Sequence, residues 1–368
     1  MFGPTCQSRH RHTRPDMPLR NGAGSRRGCL PQEKDRPWHD ACLFFRRAVD
    51  ARLFVVFVVL LSTLPIGCAS NKMIEMRKVP QGPLVERFNL TSRKGPQTSQ
   101  RTEQVVRVND LGDQVSDDPR VLLEKLQAVI EREPTAENVY AFAELAFLAG
   151  KKAEVHDRQL ALDLYGAATM HAYEYLFDDR FRRLRNPYDP QFRGACDLYN
   201  GALESALRIV CDEQGLVPGR EYEIQTASGI WEITCALRGG QWHADDFAEF
   251  KFVSDYEMKG LTNHYQSYGL GVPLIAVRCP HPGEPPHAKY YPPGLAVPMT
   301  AFVRSLPGTD QDNCDATARH RAVLELYDTL AVEDTPVGDL HVPLESDIST
   351  PMAYFLNDPA LDQLATAG

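Results

Sequence analysis

Residues 135–168 read TAENVYAFAELAFLAGKKAEVHDRQLALDLYGAA, and this stretch decides the fold. Val139, Phe142, Ala143, Ala146 and Phe147 fall at i, i+3, i+4, i+7 and i+8, which is one apolar face of a helix. Thr135 suits the start, Glu137 the first turn and Gly150 the stop. Asp157 caps a further helix whose face is Ala161, Leu164, Tyr165, Ala168, Ala172 and Tyr175. Small alanines facing large aromatics let two helices of a hairpin interdigitate closely.

Working outward, Asp118-Pro119 opens an earlier helix with Val121, Leu122, Leu126 and Ile130 on one side. Pro190 opens a later one bearing Ala195, Leu198, Tyr199, Ala202, Ala206 and Ile209, and Pro218-Gly219 ends the block. The segment Asn138–Ala168 resembles a tetratricopeptide unit. A solenoid needs at least three repeats, and no second 34-residue copy is found. One repeat-like hairpin in a small helical bundle is therefore expected over 118–217.

After residue 220 the periodicity shortens to strand alternation. Strands are expected at Tyr222–Thr226, Gly229–Thr234, Phe250–Ser254, Pro273–Cys279, Ala296–Val303, Ala322–Tyr327 and Leu340–Leu344. Six prolines within residues 280–293 impose an irregular, rigid loop. Ser349-Thr350-Pro351 starts a last helix carrying Met352, Tyr354 and Phe355, which are expected to stay partly exposed. The fold class is α+β, with N-terminal helical hairpins followed by a β-rich segment over 218–368 that ends in a C-terminal helix. Residues 68–117 are polar and read as a linker, with a short strand near Val105–Val108.

The chain has 368 residues and a net charge of −9. Residues 1–67 hold 11 basic and 5 acidic side chains, leaving 29 and 44 for the rest. An acidic body argues against nucleic-acid binding, which needs a basic footprint. Leu53 to Gly67 is a short apolar run behind Arg46, Arg47 and Arg52. A basic flank, a short apolar core and small residues at a cut site make a secretory signal peptide over 49–67. Residues 1–48 are read either as a start-site artefact, with translation beginning near Val49, or as a disordered extension. Gly67-Cys68-Ala69-Ser70 resembles a lipoprotein lipobox, with Pro65 departing from its usual leucine. That resemblance implies a diacylated Cys68, a membrane tether and a location in the cell envelope outside the cytoplasm.

No Gly-x-Ser-x-Gly elbow, His-Glu-x-x-His zinc pair or glycine-rich phosphate loop occurs. Gly269-Leu-Gly271 lacks a third glycine. Weak constellations remain. Cys279, His281 and His287 share the proline-rich loop, but surface loop is the better reading than a metal site. Ser254, Asp255 and His264 supply triad residue types, though such triads are assembled in space rather than in sequence. Asp245, Asp246, Glu249, Asp255 and Glu257 read as a solvated acidic face. Five cysteines follow Cys68, allowing one or two disulfides in an oxidising envelope. No catalytic residue, cofactor or metal ligand is assigned.

Three segments carry a wider resemblance: Arg185–Asn200 (RNPYDPQFRGACDLYN), Ser254–Tyr265 with Gly269–Arg278, and Pro343–Leu356. They resemble the N-terminal accessory region of α/β-hydrolase lipoproteins of planctomycete-type bacteria, over roughly 118–360. The resemblance implies a module placed ahead of an esterase/lipase-like catalytic domain that would supply the oxyanion strand, nucleophile elbow and histidine. That domain is absent from this sequence, so no catalytic residue carries over. The expectation is a membrane-tethered, non-enzymatic binding or structural module, partnered by the membrane and by a hydrolase domain or envelope protein. Two alternatives stand. One is a complete non-enzymatic lipoprotein whose hairpin binds an envelope protein; the other is a hydrolase with an unfamiliar site, for instance one combining His264 with Asp255.

Overall fold

The structure, a computed structural model, describes residues 72–90, 96–112, 118–183, 186–226, 229–284, 286–292, 294–306 and 319–358. The start-site, signal-peptide and Cys68 assignments lie outside these residues. Among the described residues no helix is long and apolar enough to cross a membrane.

The chain opens with β1 (Ile74–Met76) and then α1 (Pro83–Arg87) and α2 (Gln100–Val108). Four longer helices follow: α3 (Pro119–Arg132), α4 (Ala136–Ala153), α5 (Arg158–Phe177) and α6 (Pro190–Gln214). Asp118, Thr135, Asp157 and Asp189 cap them, each side chain accepting a first-turn amide hydrogen. The next strands are β2 (Glu221–Thr226), β3 (Gly229–Arg238), β4 (Phe247–Phe252), β5 (Tyr256–Met258), β6 (Gln266–Ser267) and β7 (Val272–Arg278). They are followed by β8 (Ala296–Leu306), β9 (Arg319–Asp328), β10 (Asp334–Val337), β11 (Leu340–Pro343) and β12 (Ser346–Asp347), and α7 (Ser349–Leu356) ends the described chain. The class is α+β, helices first and strands second.

The main sheet has six strands in the order β2-β3-β9-β8-β7-β4. All its pairings are antiparallel except β3 with β9. Helix α6 docks through Tyr199, whose ring lies 5.5 Å from Phe302 of β8, and through Arg208, whose guanidinium lies 4.2 Å from the Phe252 ring centre. Phe147, Tyr165 and Tyr199 are almost wholly buried and Phe142 is 6% exposed, so the aromatic positions of the helical period are the core. A small apolar recess of about 70 Å³ stays open between Leu162 and Leu203 on the helices and Ile233, Val303 and Leu324 on the sheet. Gly271 immediately precedes β7 at φ +110°. A Cβ there would stand 2.5 Å from Thr300 Cγ2 and 2.8 Å from the Ala301 carbonyl, so no other residue fits without displacing β8.

The stretch read as a linker is largely docked structure, and Val105–Val108 belongs to helix α2, not a strand. β1 pairs with β5, placing Ile74 opposite Met258. Leu84 and Phe88 are buried, and Phe88 packs 6.0 Å from Phe147. Glu144, fully buried in α4, accepts from the amide and hydroxyl of Ser99, the cap of α2. Burial pushes the Glu144 carboxyl up, against the Ser99 bonds that lower it. Polarity misled the sequence reading because a few buried apolar residues, Ile74, Leu84, Phe88, Val106 and Leu111, are enough to dock the stretch. At the other end, Met352 is 44% exposed while Tyr354 packs edge-on to Tyr256 at 5.5 Å.

Candidate functional site

A cleft of about 170 Å³ forms where the turn after β3, the end of β7, the proline-rich loop and the end of β9 meet. Gly239 and Gly240 both have positive φ, and a Cβ on Gly240 would lie 2.6 Å from Asp328 Oδ2. This turn swings Trp242 back so that its Nε1–H donates to Asp328 Oδ2 at 2.9 Å. The Trp242 ring rests 5.6 Å from Tyr291 and 5.4 Å from Phe247. Tyr291 arrives on the short helical turn Pro286–Tyr290 and its sequel, which also delivers His287 edge-on to Tyr291 at 6.2 Å.

The charged side is built on Arg278, the last residue of β7 and only 3% exposed. Its guanidinium lies 5.5 Å from the Tyr291 ring centre. Nη2 stands 2.7 Å from Glu284 Oε2 as an ion pair, but out of line for a hydrogen bond, and it has no aligned acceptor. Asp246 stands opposite. The His243 amide donates to Asp246 Oδ2 at 2.6 Å, the Asp246 amide returns a bond to the His243 carbonyl, and Cys279 N–H donates to the Asp246 carbonyl. Burial alone would raise Asp246, but the His243 amide and the His281 ring outweigh it and hold the carboxyl below its usual range. His281 is raised by the Pro282 carbonyl first and by Asp246 second. Asp246, His281 and Glu284 place one ligand-type atom each within 4.8 Å of the others.

The structure redistributes the constellations read from sequence. Cys279, His281 and His287 do not form one set: His287 lines the cleft, His281 turns to Asp246, and the Cys279 thiol lies exposed near the Pro280 carbonyl at 3.8 Å. Ser254 donates to Glu204 at 2.5 Å and accepts from Arg208 at 2.8 Å, and Asp255 pairs with Arg208 at 2.9 Å. His264 is exposed and joins neither of them. The acidic run also disperses. Glu249 pairs with Lys251 and Glu257 with Lys259, while Asp246 is buried in the cleft wall instead of sharing a solvated face. Cys196, Cys211, Cys235 and Cys279 are free thiols, so no disulfide joins the described cysteines.

The three segments that carry the hydrolase-lipoprotein resemblance meet at Asn200. Its amide nitrogen donates to Glu345 Oε2 at 2.6 Å and to the Gly269 carbonyl at 3.1 Å, and its oxygen accepts from Gly271 N–H at 2.8 Å. Beside this knot, burial raises Glu345 to about 7 and Cys196 to about 12.

Sequence reasoning had singled out Asp246, His281 and His287, but for other roles. It missed Trp242, Arg278, Glu284, Tyr291 and Asp328 as parts of a site. The available signal was Gly239-Gly240 two places before a tryptophan, a turn that only glycines make easily. No family model, curated protein or solved structure matches the chain.

Proposed function

We propose that this chain is a lipid-anchored envelope protein, the non-catalytic front part of an esterase/lipase-like lipoprotein, and that it works by binding. Its binding surface is the Trp242–Tyr291 cleft, and its ligand class is a small anion with a flat ring. One observation carries the reading: a buried Arg278 guanidinium, ion-paired with Glu284 at 2.7 Å, lines a recess walled by aromatic rings. The guanidinium keeps net donor capacity beyond its Glu284 ion pair, an anionic ligand would gain charge-assisted bonds from it, and ring faces add stacking. The anchor rests on the Gly67-Cys68-Ala69-Ser70 sequence. The convergence of the three resembling segments on Asn200 supports treating them as one module.

The binding half is tested by calorimetry on the full chain in detergent with benzoate-type carboxylates and their neutral amides. The carboxylates should bind and the amides should not, and Arg278→Gln should remove the difference. Equal binding of both classes, or of neither, overturns the reading. The anchor is tested by mass spectrometry of protein taken from membranes. Cys68 should be the acylated N-terminus, and a peptide spanning Ile66–Ser70 with an unmodified thiol would reject it.

A further inference from the structure

His281 faces two pure acceptors. Its Nδ1 lies 3.1 Å from the Pro282 carbonyl and its Nε2 lies 3.0 Å from Asp246 Oδ1. A neutral imidazole carries one N–H, so it can satisfy only one of these contacts. With Nδ1–H donated to Pro282, the Nε2 lone pair would face a carboxylate, a repulsion that a positive charge between them relieves. A second ring proton is one solution. A metal ion is the other, and the surroundings are built for it.

We propose that Asp246, His281 and Glu284 form a binding site for one divalent transition-metal ion of the zinc class. Three features support it. First, the three ligand atoms already lie within 4.8 Å of one another. Bonds of about 2.0–2.2 Å put tetrahedral ligands about 3.4 Å apart, so closing the set requires a movement of roughly 1 Å. Secondly, the Pro282 carbonyl fixes the ring through Nδ1 and leaves Nε2 as the ligand, which is the outer-shell arrangement that metal-binding imidazoles use. Thirdly, the carboxylates are themselves held in place. Asp246 Oδ2 takes the His243 amide, Glu284 Oε1 takes the His281 amide at 2.9 Å, and Glu284 Oε2 takes the Arg278 ion pair.

An imidazole with two carboxylates selects zinc-class ions over magnesium or calcium, which prefer all-oxygen shells. Three protein ligands leave a coordination position open. With a neutral ring, Asp246, Glu284 and Arg278 sum to one negative charge, so a bound divalent ion makes the site positive. Asp246 is shared with the cleft wall. The metal therefore adds positive charge beside the recess proposed for an anion, although the site itself is inferred independently of that ligand.

The test titrates the full chain with Co²⁺, followed by its visible absorption, and with Zn²⁺ by calorimetry. One ion per chain is expected. His281→Gln, at a side chain 26% exposed on the proline-rich loop, should weaken binding by about 10–100-fold or more. His264→Gln, on an exposed loop, should leave it unchanged, and Trp242→Leu should keep the metal while losing the ring-bearing anion. Absence of cobalt bands in the wild type, or equal affinity in wild type and His281→Gln, would overturn the site and leave a plain imidazolium–carboxylate pair. A wild-type protein that takes the metal but binds no ring-bearing anion would count against the cleft reading and not against the metal.

Discussion

Tyr199 of α6 bonds both backbone groups of Val303 in β8: its hydroxyl donates to the carbonyl at 2.7 Å and accepts from the amide at 2.9 Å. The reason lies in strand length. β7 begins at Val272, opposite Ala301, so Val303 lies past the end of its neighbour on that side. A phenol from the helical layer stands in for the missing strand and satisfies a buried N–H and C=O.

Tyr199→Phe should therefore destabilise more than an ordinary loss of one hydroxyl. Two backbone groups lose their partner in the core, at about 1–3 kcal/mol for each unsatisfied group. Urea denaturation should show a loss of roughly 2 kcal/mol or more. A change within about 0.5 kcal/mol would mean that water or a strand shift replaces the phenol.

Phe147→Ala tests the helical core itself. Phe147 is 2% exposed and packs against Phe88 at 6.0 Å and Tyr165 at 5.9 Å, so it joins the N-terminal stretch to both helices of the hairpin. Truncating a buried aromatic costs about 3–5 kcal/mol. Thermal and denaturant unfolding should both register that loss, and a near-neutral result would contradict the burial.

Glu345 makes stability depend on pH. Burial is the main cause of its rise to about 7, with Asp197 and Glu204 adding to it and Arg193 and Asn200 opposing. An unfolded glutamate releases its proton near 4.5, so between these values the native state binds more protons than the unfolded one. Stability then falls as pH climbs through that window. Asp163, raised to about 6 chiefly by burial, acts with the same sign. Glu345→Gln should flatten the decline and gain most over wild type at pH 8. Parallel stability curves for the two proteins at pH 5 and pH 8 would show that Glu345 ionises freely.

Ester hydrolysis offers a test of the non-catalytic reading. Ser254 is engaged by Glu204 and Arg208, with no imidazole base oriented on it. An activated nucleophile needs such a base and a preorganised oxyanion site. The purified protein should give no turnover of short-chain chromogenic esters above background. Turnover that persists in Ser254→Ala would reveal a catalytic centre elsewhere in the chain.

The helical half was legible because its punctuation is local. Asp118, Thr135, Asp157 and the Asp189-Pro190 pair mark helix starts within a few residues, and the apolar period between them names the buried side chains. Seven strands were also placed within a few residues of their observed bounds. Helix α2 was not, because Val105, Val106 and Val108 favour strands intrinsically while Ser99 bonding to a distant Glu144 decides otherwise. The cleft was invisible for a different reason. Trp242 and Tyr291 come from two loops and Arg278 and Asp328 from the ends of β7 and β9, and only the sheet order brings them together. His281 stood out by residue type, yet its partners Asp246 and Glu284 follow from backbone turns that no periodicity signals.

The one parallel seam of the main sheet has a kinetic consequence. β3 and β9 lie side by side near its centre, and the Arg238–Glu325 bond along that seam joins positions 87 apart in sequence. Hairpins such as β2–β3 close short loops and can form early, whereas this seam must wait until the intervening strands are gathered. High sequence separation of that kind slows folding. During synthesis β3 would leave the ribosome well before its partner, with the β2–β3 ribbon exposing an unpaired edge in the meantime. Such an edge invites pairing with another chain, so aggregation during refolding should be sensitive to residues Ile230–Arg238 far more than to the helical half.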